Sequence, residues 1–571
     1  MDLEDVNPID QLQTSTIDNV PPEILIMILT NLDSSDILRV RQTCRTLCKT
    51  SYDRVIWMSL LQEQLAYLPM PPELARIYHR EDRLLQSYST CTIESTVVKA
   101  QRTAAAWVMP RAVEPYKLKK EVGSNLMGLR MFLDRWLLAL YSEGVVHLYD
   151  TQPQGKSRRD IEGEIAPVLR ASLIQEMPNL WTSFAARMDP SGETLVLALS
   201  CSLSPHVVEI FEINFASLPQ GHMFLTDAFR LVRTINLPAY YLVQAIDMVE
   251  RLLFISTQSV VEIINWSDED YDLADLQDHQ RKVMRVRPED LEGLWNGTVA
   301  VRPLGSSGYL LVFKTRCLEV HKSPSSNKPS PPPLKHGFFM TFREVSVSEC
   351  SVSRSTNSEM ETYEVTLFAY DVIQGLFHYT VRLSLPLSRA SEVPPSLDVQ
   401  LTGIYPLALG IVEPASSSAS DSGPASSITY SANFSPTPTF THTHANHHGT
   451  SSTPRQTHGR GSDYASRGFL SAHSLGLQGK RAVWVERKRS STVREVQVWC
   501  PEPPSVSPVY VSGRLDGGDN QRVLEMKRRV VCSFSSYDLR DDITHCTLGE
   551  VNGTIVLGHR SGDISIIRLN H

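Results

Sequence analysis

The residues with the clearest potential for chemistry are four histidines in one short stretch. His442, His444, His447 and His448 fall within HTHANHH, and imidazoles at close spacing are ligands for transition metals. The surrounding residues 414–466 are mostly Ser, Ala, Thr, Pro, Gly and His, with few large apolar side chains. Such a segment cannot offset its ordering entropy by burial. We therefore expect a disordered insertion here and predict no metal site.

Other polar segments offer weaker chemistry. The pairs Ser435-Pro436 and Thr437-Pro438 have the form of proline-directed phosphorylation sites. The basic segments RKRSSTVR (487–494) and KSRR (156–159) could serve as a nuclear address or bind an acidic or phosphorylated partner. For 487–494 and 156–159 we prefer a solvated hairpin tip, because charge runs between strands usually face water.

Enzyme signatures are missing from the sequence. We find no GxxxxGK[ST], no GxGxxG after a strand, no HExxH and no GxSxG. The histidines and aspartates of the C-terminal region show no spacing that distinguishes them from loop residues. We predict no catalytic residue and no cofactor, although an enzyme whose catalytic residues meet only in the folded chain stays an alternative.

Bulk composition narrows the function further. The chain has 571 residues, enough for two or more domains. Its net charge of −8 argues against bulk nucleic-acid binding. No window approaches the ~20 apolar residues of a membrane span, and the acidic N-terminus is no secretory signal. Nine cysteines without a CxxC pair predict free thiols and a cytosolic or nuclear protein.

The elements that would position functional residues begin with a helical module. Residues 1–16 are expected to be disordered, and 17–32 carry apolar residues at the spacing of one helical face. Pro22 suits a first helical turn, and DSSD supplies capping residues for a second helix. A third helix is predicted within YDRVIWMSLLQEQL (52–65). Because small bundles are short of core, the module either packs on the main body or docks on a partner.

The segment from Val20 to Trp57 resembles an F-box. It carries Pro21, Pro22, Glu23, Ile24 and Leu25 in the opening element, Asp36-Ile37-Leu38 in the middle and Thr43-Cys44-Arg45 before the closing Trp57. Val20 and Thr43 depart from the usual leucine and valine. The resemblance implies that residues 17–65 bind a Skp-type adaptor, which links F-box proteins to a cullin scaffold. The positions it implies for adaptor binding are Val20, Pro21, Ile24, Leu25, Ile28, Leu29, Leu32, Ile37, Leu38, Cys44, Leu47 and Trp57.

The next segment, residues 66–90, is predicted to be a helical connector. PPELARIYHREDRLLQSYS (71–89) begins with prolines and then has apolar residues at helical spacing. We expect this helix to extend the F-box and brace it, in preference to forming a separate binding helix.

From residue 91 onward the sequence predicts an all-β domain. Seven strand pairs separated by turn residues recur, at 134–150, 181–215, 245–266, 309–322, 364–383, 480–500 and 543–569. Helical periodicity is missing from this region, and repeated units of this kind predict a β-propeller, with seven blades preferred. The region resembles a degenerate WD-repeat propeller, with Tyr149-Asp150 in place of a Trp-Asp pair. A β-sandwich array is the alternative. We expect residues 91–120 to supply the strand that closes the ring.

These features together predict a substrate-recognition subunit of a Skp–cullin–F-box ubiquitin ligase. The fold class is a small all-α F-box followed by an all-β propeller. The expected partners are the adaptor, cullin through the adaptor, and an unknown target protein held by the propeller, with neither nucleic acid nor membrane. Two alternatives stay open: a propeller scaffold acting outside any ligase, and a propeller enzyme with a vestigial F-box.

Overall fold

A computed structural model describes most of both regions. The described residues are 17–69, 71, 74, 88–111, 113–119, 125–152, 166–174, 181–201, 206–218, 225, 227–267, 282–286, 294–323, 331–354, 360–387, 394–407, 428–430, 468–487, 491–501, 510–513, 521–527 and 529–569. The chain divides into two compact units, one dominated by residues 1–109 and the other by residues 110–550 and 554–568.

The first unit is all-helical. Its helices are α1 (Pro22–Leu29), α2 (Ser34–Val40), α3 (Arg45–Thr50), α4 (Arg54–Tyr67) and α5 (Thr90–Val108). Short 3-10 turns occur at Ile17–Asn19 in this unit and at Phe215–Ser217, Gly305–Ser307 and Leu539–Asp541 in the other. Most of the predicted connector lies outside the described residues.

Helix α5 corrects one prediction, since we expected strands from residue 91 onward. Ser89 caps the helix through a hydrogen bond from the Thr92 amide to its hydroxyl, at 3.1 Å. The β-branched run Thr96-Val97-Val98 favours a strand locally. However, Ile93, Val97 and Trp107 recur at helical spacing and are all buried. Packing of this stripe therefore overrides the local strand preference.

The second unit is built mainly from antiparallel strands. They are β1 (Tyr116–Leu118), β2 (Leu126–Phe132), β3 (Trp136–Tyr141), β4 (Val145–Asp150), β5 (Val168–Ile174), β6 (Trp181–Met188), β7 (Thr194–Cys201), β8 (Val207–Asn214), β9 (Arg230–Asn236), β10 (Leu242–Asp247), β11 (Leu252–Ser256), β12 (Val260–Asn265), β13 (Lys282–Arg285), β14 (Thr298–Pro303), β15 (Tyr309–Lys314) and β16 (Cys317–Lys322). They continue with β17 (Leu334–Gly337), β18 (Phe342–Val347), β19 (Ser351–Arg354), β20 (Met360–Asp371), β21 (Gly375–Pro386), β22 (Ser396–Pro406), β23 (Ile428–Tyr430), β24 (Phe469–Leu475), β25 (Ala482–Arg487), β26 (Val493–Trp499), β27 (Tyr510–Gly513), β28 (Gln521–Glu525), β29 (Val530–Ser535), β30 (Ile543–Gly549), β31 (Thr554–His559) and β32 (Ile564–Arg568).

These strands form seven blades, which confirms the predicted seven-bladed propeller. Blades 1 to 4 are β2–β5, β6–β9, β10–β13 and β14–β17, in sequence order. Blade 5 is built on β18 and β20–β22, with β19 and three further short strands attached, and blade 6 is β24–β26 with β29. Blade 7 is β30–β32 with β1 at its edge. The innermost strands contact one another around a complete ring, β2-β6-β10-β14-β18-β24-β30 and back to β2.

Strand β1 closes this ring from the start of the domain. Tyr116 lies opposite Ile566 and Leu118 opposite Ile564 in an antiparallel pair with β32. The closing strand thus falls within the predicted range 91–120, at its C-terminal end. An edge strand taken from the other end of the chain removes the open seam that a linear array of blades would leave.

One irregularity recurs in every innermost strand. Each has a register shift close to its start, which leaves one residue unpaired at Met127, Thr182, Gln244, Val299, Arg343, Ser471 and Thr544. A bulge bends a strand and strengthens its twist. The seven bulges therefore mark equivalent positions, although the sequences around them share no obvious signature.

Several predictions fall on residues outside the described ranges. They concern the N-terminus (1–16), the four-histidine stretch and the two Ser/Thr-Pro pairs within 414–466, and KSRR at 156–159. Within 414–466 only Ile428–Tyr430 is described, and it pairs with β27. The insertion lies between blades 5 and 6, as predicted. The basic segment 487–494 begins at the last residue of β25 and ends within β26, with Arg487 opposite Arg494. Arg494 is buried and pairs with Asp542, so the expectation of a solvated tip is wrong for this residue.

The propeller has a buried carboxyl group with an unusual pKa. Glu550 lies in a cradle of backbone amides from Gln478, Lys480 and Arg481, at 2.6, 2.9 and 3.1 Å from its carboxylate oxygens. Burial raises its pKa to about 7, and the amide hydrogen bonds only partly oppose this. A Cβ at Gly476 would lie 2.0 Å from the carboxyl carbon, so only glycine leaves room for this group.

This raised pKa predicts a pH-dependent stability. The pKa of Glu550 in the folded chain lies above the value of 4.5 expected for an exposed glutamate. The contribution of Glu550 to the free energy of unfolding is therefore full below pH 4.5 and is lost as the pH rises through 7. A Glu550→Gln variant lacks this titration, so its unfolding free energy relative to the native protein should rise between pH 5 and pH 8, on the order of 1–3 kcal/mol. Denaturant unfolding at both pH values measures this difference, and an equal difference at the two would contradict it.

Candidate functional site

Helix α1 is apolar on two opposite sides. Leu25 and Leu29 point into the module and are 2% and 1% exposed. Ile24, Met27 and Ile28 point outward, although they are large and apolar. The helix begins after Pro21, with Pro22 in its first turn and Glu23 at the positive end of its dipole. A helix that is apolar all round is normally buried, so the exposed outer side of α1 is a candidate contact surface for a partner.

The inner side of α1 contributes to one hydrophobic core. The buried members of this core are Leu29, Ile37, Ile56, Trp57, Leu60, Leu61, Leu74, Ile93 and Val97. Ile93 and Val97 belong to α5, so this helix supplies core that the three predicted helices lack. The sequence reasoning missed its contribution because it assigned residues after 90 to the propeller.

Polar contacts fix the helices around this core. Arg41, which follows the last residue of α2, donates to both carboxylate oxygens of Glu94 on α5, at 2.8 and 3.0 Å. Burial alone would lower the pKa of Arg41, but the hydrogen bond to Glu94, the charge of Glu94 and smaller effects of Tyr52 and Cys48 together outweigh burial and raise the pKa. The indole N–H of Trp57 donates to the Ser51 carbonyl at 2.8 Å. These bonds connect the end of α2 to α5 and the start of α4 to the residue that follows α3, and so fix these helices around the core.

The outer side of α1 forms the candidate docking face. We define it by Pro21, Ile24, Met27 and Ile28, whose three helical members are 43%, 58% and 53% exposed. Their spacing of i, i+3 and i+4 places them on one stripe. Sequence reasoning missed Met27, because it ascribed the apolar pattern to a single face. The signal was present, since Met27 lies three residues after Ile24.

The twelve positions implied by the F-box resemblance are of three kinds: buried, exposed and half-buried. Leu25, Leu29, Ile37 and Trp57 are buried, and the last three belong to the core of the module. Pro21, Ile24 and Ile28 are exposed, whereas Val20, Leu32, Leu38, Cys44 and Leu47 are half-buried. The buried residues thus build the module, and a direct contact with a partner stays a prediction for the others. Cys44 also caps α3, where its sulfur accepts from the Leu47 amide at 3.5 Å.

The described parts of the chain also bear on three other kinds of site: a metal site, a membrane span and a reactive thiol. Among them no group of three His, Cys, Asp or Glu side chains is placed to hold a metal ion. None of the described helices is long and apolar enough to cross a membrane. All nine cysteines are free thiols, and burial raises the pKa of the Cys350 thiol to about 12, far from that of a reactive cysteine.

Comparison with known proteins identifies the helical segment. Residues 17–63 match the F-box-like family. Among solved structures, the chain is similar to that of U3-55K, with 11% identity, 80% of this chain and 99% of that chain covered and a TM-score of 0.38. The WD40 propeller domain of Doa1 gives 8% identity, coverages of 80% and 97% and a TM-score of 0.34. The RRP9 WD40 repeats give 11% identity, with 81% of this chain and 98% of that chain covered and a TM-score of 0.37. No curated protein matches in sequence.

Proposed function

The chain combines an F-box-like segment with a seven-bladed β-propeller, and we propose that it is the substrate-recognition subunit of a Skp–cullin–F-box ubiquitin ligase. The observation that carries this proposal is the exposed apolar stripe on α1, in a segment of the type that generally binds Skp-type adaptors. The adaptor covers this stripe and connects the chain to cullin, while the propeller holds a target protein.

The proposal assigns no reaction to this chain. Its contribution is proximity: holding a target near a charged ubiquitin-conjugating enzyme turns a bimolecular encounter into an effectively unimolecular one. Nine free thiols support action in the reducing cytosol or nucleus.

Affinity purification of the full chain tests the ligase role. Deletion of residues 17–57 is a poor comparison, because it would expose Leu60, Ile93 and Val97, which are core residues. An Ile24→Ala, Ile28→Ala variant keeps that core intact. Under proteasome inhibition, we expect adaptor and cullin with the native chain and neither with the variant, while target proteins remain bound to both.

The scaffold alternative gives a different result. A chain that binds the adaptor outside any ligase would retain adaptor without cullin, and that outcome would contradict the ligase role. Loss of adaptor together with a measurable turnover of some substrate would instead favour a propeller enzyme.

A further inference from the structure

A cavity of about 230 Å³ lies between blades 5 and 6 of the propeller. Its lining includes Glu344 at the start of β18, Tyr370 at the end of β20, and Phe469, Ser471 and His473 of β24. Pockets for small molecules typically measure about 300–1,000 Å³. This cavity is smaller, and its size favours a single large side chain over a cofactor.

Exposed aromatic and aliphatic residues surround this cavity. Phe469 is 44% exposed, and Val372 and Ile373, in the turn between β20 and β21, are 48% and 70% exposed. Phe339, just before β18, is 70% exposed. All four lie at the same end of the sheets, where the innermost strands begin. Clusters of exposed large apolar residues of this kind mark protein-binding surfaces.

The same end of the propeller carries a repeated aromatic position. Phe339 lies four residues before the bulge at Arg343, Trp295 four before the bulge at Val299, and Tyr240 four before Gln244. Trp295 and Tyr240 are 52% and 37% exposed. Blades 3, 4 and 5 therefore present an arc of aromatic side chains that ends beside the cavity. Aromatic residues are enriched at protein interfaces and dominate their binding energy.

The cavity itself contains two polar atoms without partners. Within the described part of the chain, neither Ser471 Oγ nor His473 Nε2 makes a hydrogen bond, although both atoms are buried. The His473 side chain is 4% exposed, and its ring packs against Phe368 and Tyr370. Unpaired buried polar atoms are costly, so a ligand that satisfies both would bind with a favourable hydrogen-bond contribution.

The protonation of His473 determines which ligand group fits. Burial lowers its pKa to about 4, and the carbonyl of Phe368 only partly opposes this, so the ring is neutral at pH 7. Glu344 Oε2 lies 3.8 Å from Nδ1. A carboxylate there favours the tautomer with the proton on Nδ1, which leaves Nε2 as an acceptor. The ligand must therefore donate a hydrogen bond to Nε2.

We propose that this cavity binds the phenol side chain of an unphosphorylated tyrosine in a partner protein. A phenol O–H donates to His473 Nε2 and accepts from the Ser471 hydroxyl, while its ring packs on Phe469 and Tyr370. Glu344 and Arg343 lie 3.6 Å apart and together leave no net charge at the entrance, which favours a neutral phenol over a phosphate or an ammonium. The inference names a recognition element for the receptor role, and it rests on that role only for the fate of the bound protein.

Saturation-transfer NMR on the full chain tests this site without the adaptor. The probes are N-acetyltyrosinamide, the corresponding phenylalanine and lysine amides, and O-phosphotyrosinamide. We expect transfer to the tyrosine ring and about 5- to 100-fold weaker binding of the phenylalanine amide, because it leaves both polar atoms unpaired. The phosphorylated and lysine probes should bind more weakly still.

Two variants locate the binding. Ser471→Ala removes one oxygen without disturbing the strand, and His473→Phe removes the acceptor; both should weaken tyrosine binding about 5-fold or more. Thr544→Ala, at the equivalent bulge of blade 7, should leave it unchanged. Equal binding of tyrosine and phenylalanine amides, preference for lysine, an unaffected Ser471→Ala variant or no transfer to tyrosine would each overturn the proposal. None of these outcomes bears on adaptor binding, so the two proposals fail separately.

Discussion

Replacing Ile24 and Ile28 by alanine should weaken binding of a Skp-type adaptor about 10- to 150-fold. Complete burial of an isoleucine contributes about 1.5–3 kcal/mol, and these two side chains are 43% and 53% exposed in the free chain. Covering the remaining surface of the pair is thus worth about 1.5–3 kcal/mol, which gives this change in dissociation constant. Isothermal titration of purified adaptor into each chain measures it.

Two controls make this result specific to the docking face. A Val372→Ala, Ile373→Ala variant removes a similar exposed apolar area from the propeller, and it should bind the adaptor as tightly as the native chain. The thermal unfolding of the Ile24, Ile28 variant should match the native protein, because neither side chain belongs to the core. Native adaptor affinity in this variant would show that the outer side of α1 is not the contact.

Replacing Asp150 by alanine should destabilise the propeller by about 3–5 kcal/mol. Asp150 is completely buried at the end of β4 and accepts from Arg135 at 2.7 and 2.9 Å and from Arg170 at 3.3 Å. Burial would raise its pKa, but the pKa is lowered because the hydrogen bond and charge of Arg135, the Gln152 amide and the charge of Arg170 together outweigh burial. Removing the carboxylate leaves the buried Arg170 guanidinium without this counter-charge, which is the costly way to break a buried ion pair. Denaturant unfolding measures the loss.

A surface ion pair of the same propeller provides the matched control. Glu212 pairs with Arg230, whose side chain is 74% exposed. A Glu212→Ala variant should lose no more than about 1 kcal/mol, since solvent screens exposed pairs. An equal loss of unfolding free energy in the two variants would mean that burial does not determine how much Asp150 stabilises the propeller.

The architecture was predictable because two sequence patterns are strong: the helical spacing of apolar residues in the first unit and the repeated strand pairs in the second. Leu25 and Leu29 recur at helical spacing, and the seven strand pairs are separated by clear turns such as DPSG at 189–192. The final pair, GTIVLG and DISIIRL, corresponds to β31 and β32. These signals are local, so a single sequence is enough to identify them.

Features that depend on tertiary packing were missed. The strand preference of Thr96-Val97-Val98 concealed α5, whose buried stripe has a partner only once α2 and α4 are in place. The twelve F-box positions also gave no division between core and surface. Leu29 and Ile28 are adjacent and both apolar, but only the packing of α1 decides that one is buried and the other exposed.

The propeller cavity was beyond sequence reasoning for a related reason. Glu344, Tyr370 and His473 come from three strands of two blades, separated in the sequence by the long insertion of 414–466. Only the packing of blade 5 on blade 6 brings β18 beside β24. The bulges at equivalent positions of the blades also share no recognisable residue type. Their unpaired residues include Met127, Arg343 and Ser471, which differ in size, charge and polarity.

The central claim is that α1 presents a docking face for a Skp-type adaptor. Hydrogen–deuterium exchange of the full chain, with and without purified adaptor, tests it most directly. We expect slower exchange of the α1 amides (Pro22–Leu29) when adaptor is added and unchanged exchange in blades 1 to 7. The Ile24→Ala, Ile28→Ala variant should lose the protection of α1. Unchanged exchange across α1 at saturating adaptor, or protection confined to the propeller, would contradict it.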